Sequence, residues 1–246
     1  MRRAVLVLLL VLVLACASPS PARPPPPVPR TAAPESLLRD ARSARDAGDL
    51  PLARARLEEA VLGAPDWDLP RLDLAELLLA EGSDLPQVAE LLSGPVRPEN
   101  PRLHVLRGQL AELEEDDLGA AASYAQALLL RPDPDVRLRR ALVLDRLGRG
   151  DDAISELERV REARPRDPAA RARLADLYER AGRLEHASRE LEALAFGSGR
   201  PAPWRALAEF HRRHGDENAA RWAEANARAL DAREDRALRP LLPSRN

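Results

Sequence analysis

The sequence predicts an all-α chain whose body is a helix–turn–helix unit repeated about six times. Three observations carry that prediction. From Pro34 onward apolar residues recur with helical period, Ala, Leu, Arg and Glu dominate, and no stretch alternates as a strand would. Glycines stand at Gly48, Gly82, Gly148, Gly182 and Gly215, in steps of 34, 66, 34 and 33 residues, and the slot missing from this comb falls at Glu115. Alanines at Ala53, Ala120, Ala153, Ala187 and Ala220, and prolines at Pro65, Pro132 and Pro165, keep the same phase.

The chain opens with Met1-Arg2-Arg3, a short positive segment, followed by an unbroken apolar run over 4–15. That run is shorter than the ~20 residues needed to span a bilayer, so 1–15 reads as a signal peptide. The run ends in Val13-Leu14-Ala15-Cys16, and Cys16 is the one cysteine of the chain. The segment resembles the bacterial lipobox. That resemblance implies cleavage before Cys16, a diacylglycerol on its thiol and a further acyl chain, such as palmitate, on the freed amine. Ala17 stands where an aspartate would retain a lipoprotein in the inner membrane, so the implied location is the outer membrane, facing the periplasm. Residues 16–33 then form a linker rich in proline, which fixes φ and favours polyproline II, a spacer rising ~3.1 Å per residue.

The repeats are expected over 34–67, 68–100, 101–133, 134–167, 168–200 and 201–230. The glycine ends the first helix of its repeat in a left-handed turn. The alanine lies where two helices cross closely, and the proline stops the second helix. Repeat five carries Leu174-Ala175, Tyr178, Gly182, Leu184, Ala187 and Leu191; repeat three carries Gly108, Ala111, Ala120, Tyr124 and Ala127. The second unit is weakest: Ser93-Gly94-Pro95 cuts its second helix short and predicts a local kink. After Leu230 no proline intervenes before Pro240, so 231–246 is expected to extend the last helix as a cap and then fray.

These residues resemble the tetratricopeptide repeat (TPR) family over about 34–230. The resemblance implies a right-handed superhelical solenoid with a concave groove lined by the first helix of each repeat. By that pattern the inward-facing residues are Arg42, Arg45, Gln109, Glu112, Asp176, Glu179, Arg205, Glu209 and Arg212. They are polar and mixed in sign, and arginine suits bidentate contact with carboxylates.

Composition excludes several functions. Hydrophobic residues make up 45% of the 246, aromatics only 3%, so the core must be built from Leu, Ala and Val. All 38 basic residues are arginine against 40 acids, a net charge of -2, which argues against a nucleic-acid partner. One cysteine rules out a disulfide framework and a cysteine-based metal site. His211-x-x-His214 has ligand spacing, but it reads as the last turn of a helix, where the dipole favours it. Glu114-Glu115-Asp116-Asp117 lacks the spaced oxygens of a calcium loop and reads as a solvated turn. Arg149-Gly150-Asp151 is a turn, and Gly197-Ser198-Gly199 has neither the strand nor the lysine of a phosphate loop. The expectation is no metal, no cofactor, no catalytic residue, no small-molecule substrate and no enzyme.

Signal, lipidated cysteine, spacer and about six repeats together resemble the secretin pilotins of type IV pilus systems, the Tgl and PilF type. That resemblance implies a protein partner, the pilus secretin, whose assembly in the outer membrane it promotes for pilus biogenesis and motility. The competing reading is a periplasmic scaffold for outer-membrane protein insertion or for peptidoglycan enzymes.

Overall fold

Proline and aspartate set where these helices begin. Proline opens α5, α7, α9 and α11, because the N–H it lacks is one that a first turn leaves unbonded. The computed structural model describes residues 33–238 of the chain. The expected signal peptide, Cys16 with its Pro-rich linker, and the tail beyond Leu238 lie outside the described residues.

Among the described residues there are twelve helices and no strand: α1 (Pro34–Asp46), α2 (Leu50–Gly63), α3 (Asp68–Glu81), α4 (Leu85–Ser93), α5 (Pro101–Leu113), α6 (Asp117–Leu130), α7 (Pro134–Arg146), α8 (Gly150–Ala163), α9 (Pro168–Arg180), α10 (Leu184–Ser198), α11 (Pro201–Arg213) and α12 (Glu217–Leu238). Each packs chiefly on the helices next to it in sequence, as a solenoid requires. Asn100, Asp133 and Asp167 cap α5, α7 and α9 by accepting the backbone N–H two residues on, at 3.1, 2.9 and 2.9 Å. Asp49, Asp84, Asp116 and Asp216 cap second helices from three residues before the donor. Such a cap contributes roughly 1 kcal/mol.

The three combs have distinct physical roles. Gly148 turns the chain from α7 to α8 at φ 72°, in the left-handed region, and the other four comb glycines share that sign. At the missing slot Glu115 adopts the same conformation, φ 59°, without being glycine. The five comb alanines are at most 1% exposed. Each lies where a second helix crosses its first, and nothing larger fits without separating them.

The second repeat departs from the rest for a visible reason. α4 ends after nine residues. A Cβ on Gly94 would stand 2.5 Å from Nη1 of Arg71. Arg71 is buried and donates Nη2 to the Pro65 carbonyl at 2.9 Å. The early stop therefore makes room for an arginine that ties down the preceding loop, and α3 reaches past α4 to touch α5 directly.

The core divides into three clusters, one along α1–α5, one centred on α6–α9 and one in α10–α12. Buried acids interrupt it, and two of them, on α8 and α10, share one arrangement. Glu156 of α8 accepts Arg137 at 2.8 Å and Arg140 at 2.5 Å; Glu190 of α10 accepts Arg161 and Arg171, both at 2.5 Å. One repeat later the places of Arg171 and Glu190 are held by Trp204 and Ala223, both buried. A packed indole over a methyl thus replaces the ion pair at the end of the array.

Candidate binding face

The first helices α5, α7, α9 and α11 end in a shared pattern. An acid stands three residues before the turn residue in Glu112, Asp145 and Glu179, and an arginine two before it in Arg146, Arg180 and Arg213. Each arginine reaches back one repeat. Arg146 Nη2 lies 3.2 Å from Glu112 and 2.6 Å from Asp117. Arg180 donates Nη2 to both carboxylate oxygens of Asp145 at 2.7 and 2.8 Å. Arg213 grips Glu179 at 2.9 and 3.0 Å, and His214 Nε2 comes within 2.8 Å of the same carboxylate. The result is a ladder of ion pairs, one rung per repeat boundary.

One rung is anchored in the core by a tyrosine, and a second tyrosine makes a like bond to a carboxylate outside the ladder. Tyr124 is fully buried and donates its hydroxyl to Glu112 at 2.6 Å; Tyr178 donates to Glu158 at 2.5 Å. Burial, reinforced by those carboxylates, pushes the Tyr178 hydroxyl up to about 12 and Tyr124 higher still, so both keep their protons. Burial alone would push the Glu179 carboxyl up. The hydrogen bonds from His214 and Arg213 outweigh it and hold that carboxyl below its ordinary value.

The structure distributes the nine expected groove residues unevenly. Glu112 and Glu179 are rungs of the ladder and already partnered. Arg42 bonds the buried Asp73, with Nη2 and Oδ2 3.0 Å apart. Arg45 is exposed beside it and has no ion pair among the described residues. Gln109 is half-buried on α5, and exposed Asp176 pairs along its own helix with Arg180 at 3.1 Å. Arg42 and Arg45 lie together beside Asp73, and Arg205, Glu209 and Arg212 come together at the other end. With Ala208, Arg213 and Glu224 these last three line an open cleft of about 520 Å³ at the last repeat.

That cleft is rich in charge but internally matched. Arg205 bonds Asp231 at 2.6 Å, Arg212 bonds Glu224 at 2.9 Å, and Glu209 lies 3.3 Å from Arg213. A ligand there must exchange ion pairs rather than fill vacancies, which favours a partner bearing both signs, such as a peptide. His211 and His214 diverge: His211 faces Ser188 at 3.4 Å while His214 faces Glu179. Among the described residues no three potential ligands converge on a metal position.

Sequence reasoning missed Asp145, Arg146, Arg180 and Arg213. The signal was present as an acid–arginine dipeptide before the turn in repeats four and five, one repeat apart. Groove positions borrowed from a family pattern did not include the second residue of that pair.

The comparisons agree with this architecture. The tetratricopeptide repeat family profile matches residues 146–210. Among curated proteins none matches the sequence. Solved structures do match in fold. PilW, described as a widely conserved type IV pilus biogenesis factor, superposes with a TM-score of 0.63 at 19% identity, over 80% of this chain and 92% of its own. PilF of Pseudomonas aeruginosa gives 0.63 at 15%, over 80% and 91%. YrrB, a TPR protein with an unusual peptide-binding site, gives 0.60 at 16%, over 71% and 91%. At these identities the likeness establishes the fold: a TPR solenoid.

Proposed function

We propose that this tetratricopeptide-repeat solenoid is an outer-membrane lipoprotein that binds a protein partner, and that the partner is the pilus secretin. One observation carries the choice. A lipobox-like segment, a Pro-rich spacer and about six repeats follow one another in this chain, and the fold likeness extends over 92% of PilW, a type IV pilus biogenesis factor. The lipobox-like Val13-Leu14-Ala15-Cys16 and the Pro-rich spacer supply the anchor that such a role needs.

In this reading the acyl chains on Cys16 hold the protein at the membrane, and burial of each CH₂ adds about 0.8 kcal/mol. The tethered face raises the local concentration of a subunit that would otherwise aggregate before joining its ring. The work is binding and positioning, not catalysis.

The test is a membrane immunoblot for the secretin with and without this gene. Loss of heat- and detergent-resistant multimers, with monomer still present, is the expected result. Unchanged multimers would assign the protein to another envelope assembly. Cys16→Ala is expected to yield a folded protein that leaves the membrane fraction; retention there would refute the anchor.

A further inference from the structure

The solenoid has two edges, one formed by the turns inside repeats and one by the loops between them. On the second edge, large apolar side chains stand in water at one register. Leu62 is 83% exposed, Leu129 78% and Phe196 66%. Each lies fourteen residues beyond the left-handed residue of its repeat, Gly48, Glu115 or Gly182, so they recur every 67 residues, once per two repeats. Exposed leucines scattered singly need no explanation, but three in one register do. Phe196 also extends into a partly exposed aromatic group, 4.8 Å from Trp204 and 6.1 Å from Trp222 between ring centres.

The loops that follow on this edge carry arginines at the surface. Arg131 comes two residues after Leu129 and approaches Asp133 only to 3.9 Å. Arg166 and Arg200 are exposed, and their guanidinium groups have no ion pair or hydrogen bond among the described residues. The contrast with the other edge is sharp in charge. There the exposed Leu118 follows Glu114, Glu115, Asp116 and Asp117.

We propose that the inter-repeat edge of repeats three to five docks on an anionic lipid bilayer. Aliphatic and aromatic side chains enter the interface while unpaired arginines meet lipid phosphates, the two attractions that hold peripheral proteins at membranes. An acidic edge would be repelled by the same surface. The contact involves residues of the array alone and does not require the lipid on Cys16.

The test uses that independence. In the full chain carrying Cys16→Ala no cysteine remains, so Leu129→Cys or Leu118→Cys can be labelled singly with an environment-sensitive NBD dye. On adding phosphatidylglycerol-containing vesicles, emission from the dye at 129 is expected to rise several-fold and shift to the blue, while the dye at 118 stays unchanged. Adding Arg166→Glu and Arg200→Glu should abolish most of the rise at 129. An equal response at 118, an equal response to phosphatidylcholine alone, or no response at all overturns the proposal. A rise at 129 without vesicles, growing with protein concentration, overturns it in favour of a second copy of the chain as occupant.

Discussion

Tyr124 lies flat against Gly108, and a methyl added there would come within 2.5 Å of its ring. Neither the ring, bonded to Glu112, nor the helix beneath it can yield freely. Gly108→Ala is therefore expected to cost about 1–3 kcal/mol, read as a lower urea midpoint at unchanged slope. Glu115 presents the opposite case. A non-glycine residue at φ 59° carries left-handed strain of about 1–2 kcal/mol. Glu115→Gly should relieve part of it and raise the melting temperature by a few degrees. The position of this turn was legible from the spacing of its neighbours. Its residue type carried no signal, since glutamate belongs to helices, and the exposed residue is held by local backbone bonds, Glu115 N–H to Glu112 and Asp116 N–H to Ala111.

At the scale of helices, the alanine comb locates the crossings. Ala187 is closed to solvent where α10 meets the core cluster centred on α6–α9. Ala187→Leu must push the crossing apart and should cost about 1–3 kcal/mol; an unchanged melting curve would show that the crossing lies elsewhere. The break in α4 was legible in Ser93-Gly94-Pro95. Its cause was not, because Arg71 lies 23 residues earlier in the sequence and meets Gly94 only in three dimensions. The buried acids were hidden for a related reason. Glu156 and Glu190 sit among the polar residues of amphipathic helices, and periodicity cannot show that arginines from other helices close over them.

At the scale of the whole array, the ladder links repeats three to six through charge, and its pH dependence has a definite sign. Glu179 has a folded-state value below its ordinary 4.5, so it binds fewer protons folded than unfolded as the pH falls. Its contribution is complete above about pH 4.5 and is lost as pH drops through the lowered value. Glu179→Gln should lower the melting temperature at neutral pH and flatten its fall between pH 4.5 and more acid conditions; a parallel curve would refute the rung. The sequence supplied the groove residues only through a family pattern. It could not show that Glu112 and Glu179 spend their charge on neighbouring repeats, whereas Arg205, Glu209 and Arg212 border an open cleft.

The short α4 has a mechanical meaning. A solenoid has no closing contacts between distant repeats, so a pull along it passes through every repeat interface in series, and the interface with the least overlap yields first. α4 is nine residues against thirteen or more in every other described helix, and it shares with α3 the contact between repeats two and three. Tension reaching this junction passes through α3 as well as α4, so the shortened helix does not carry it alone, and the ladder from α5 onward stiffens the segment beyond.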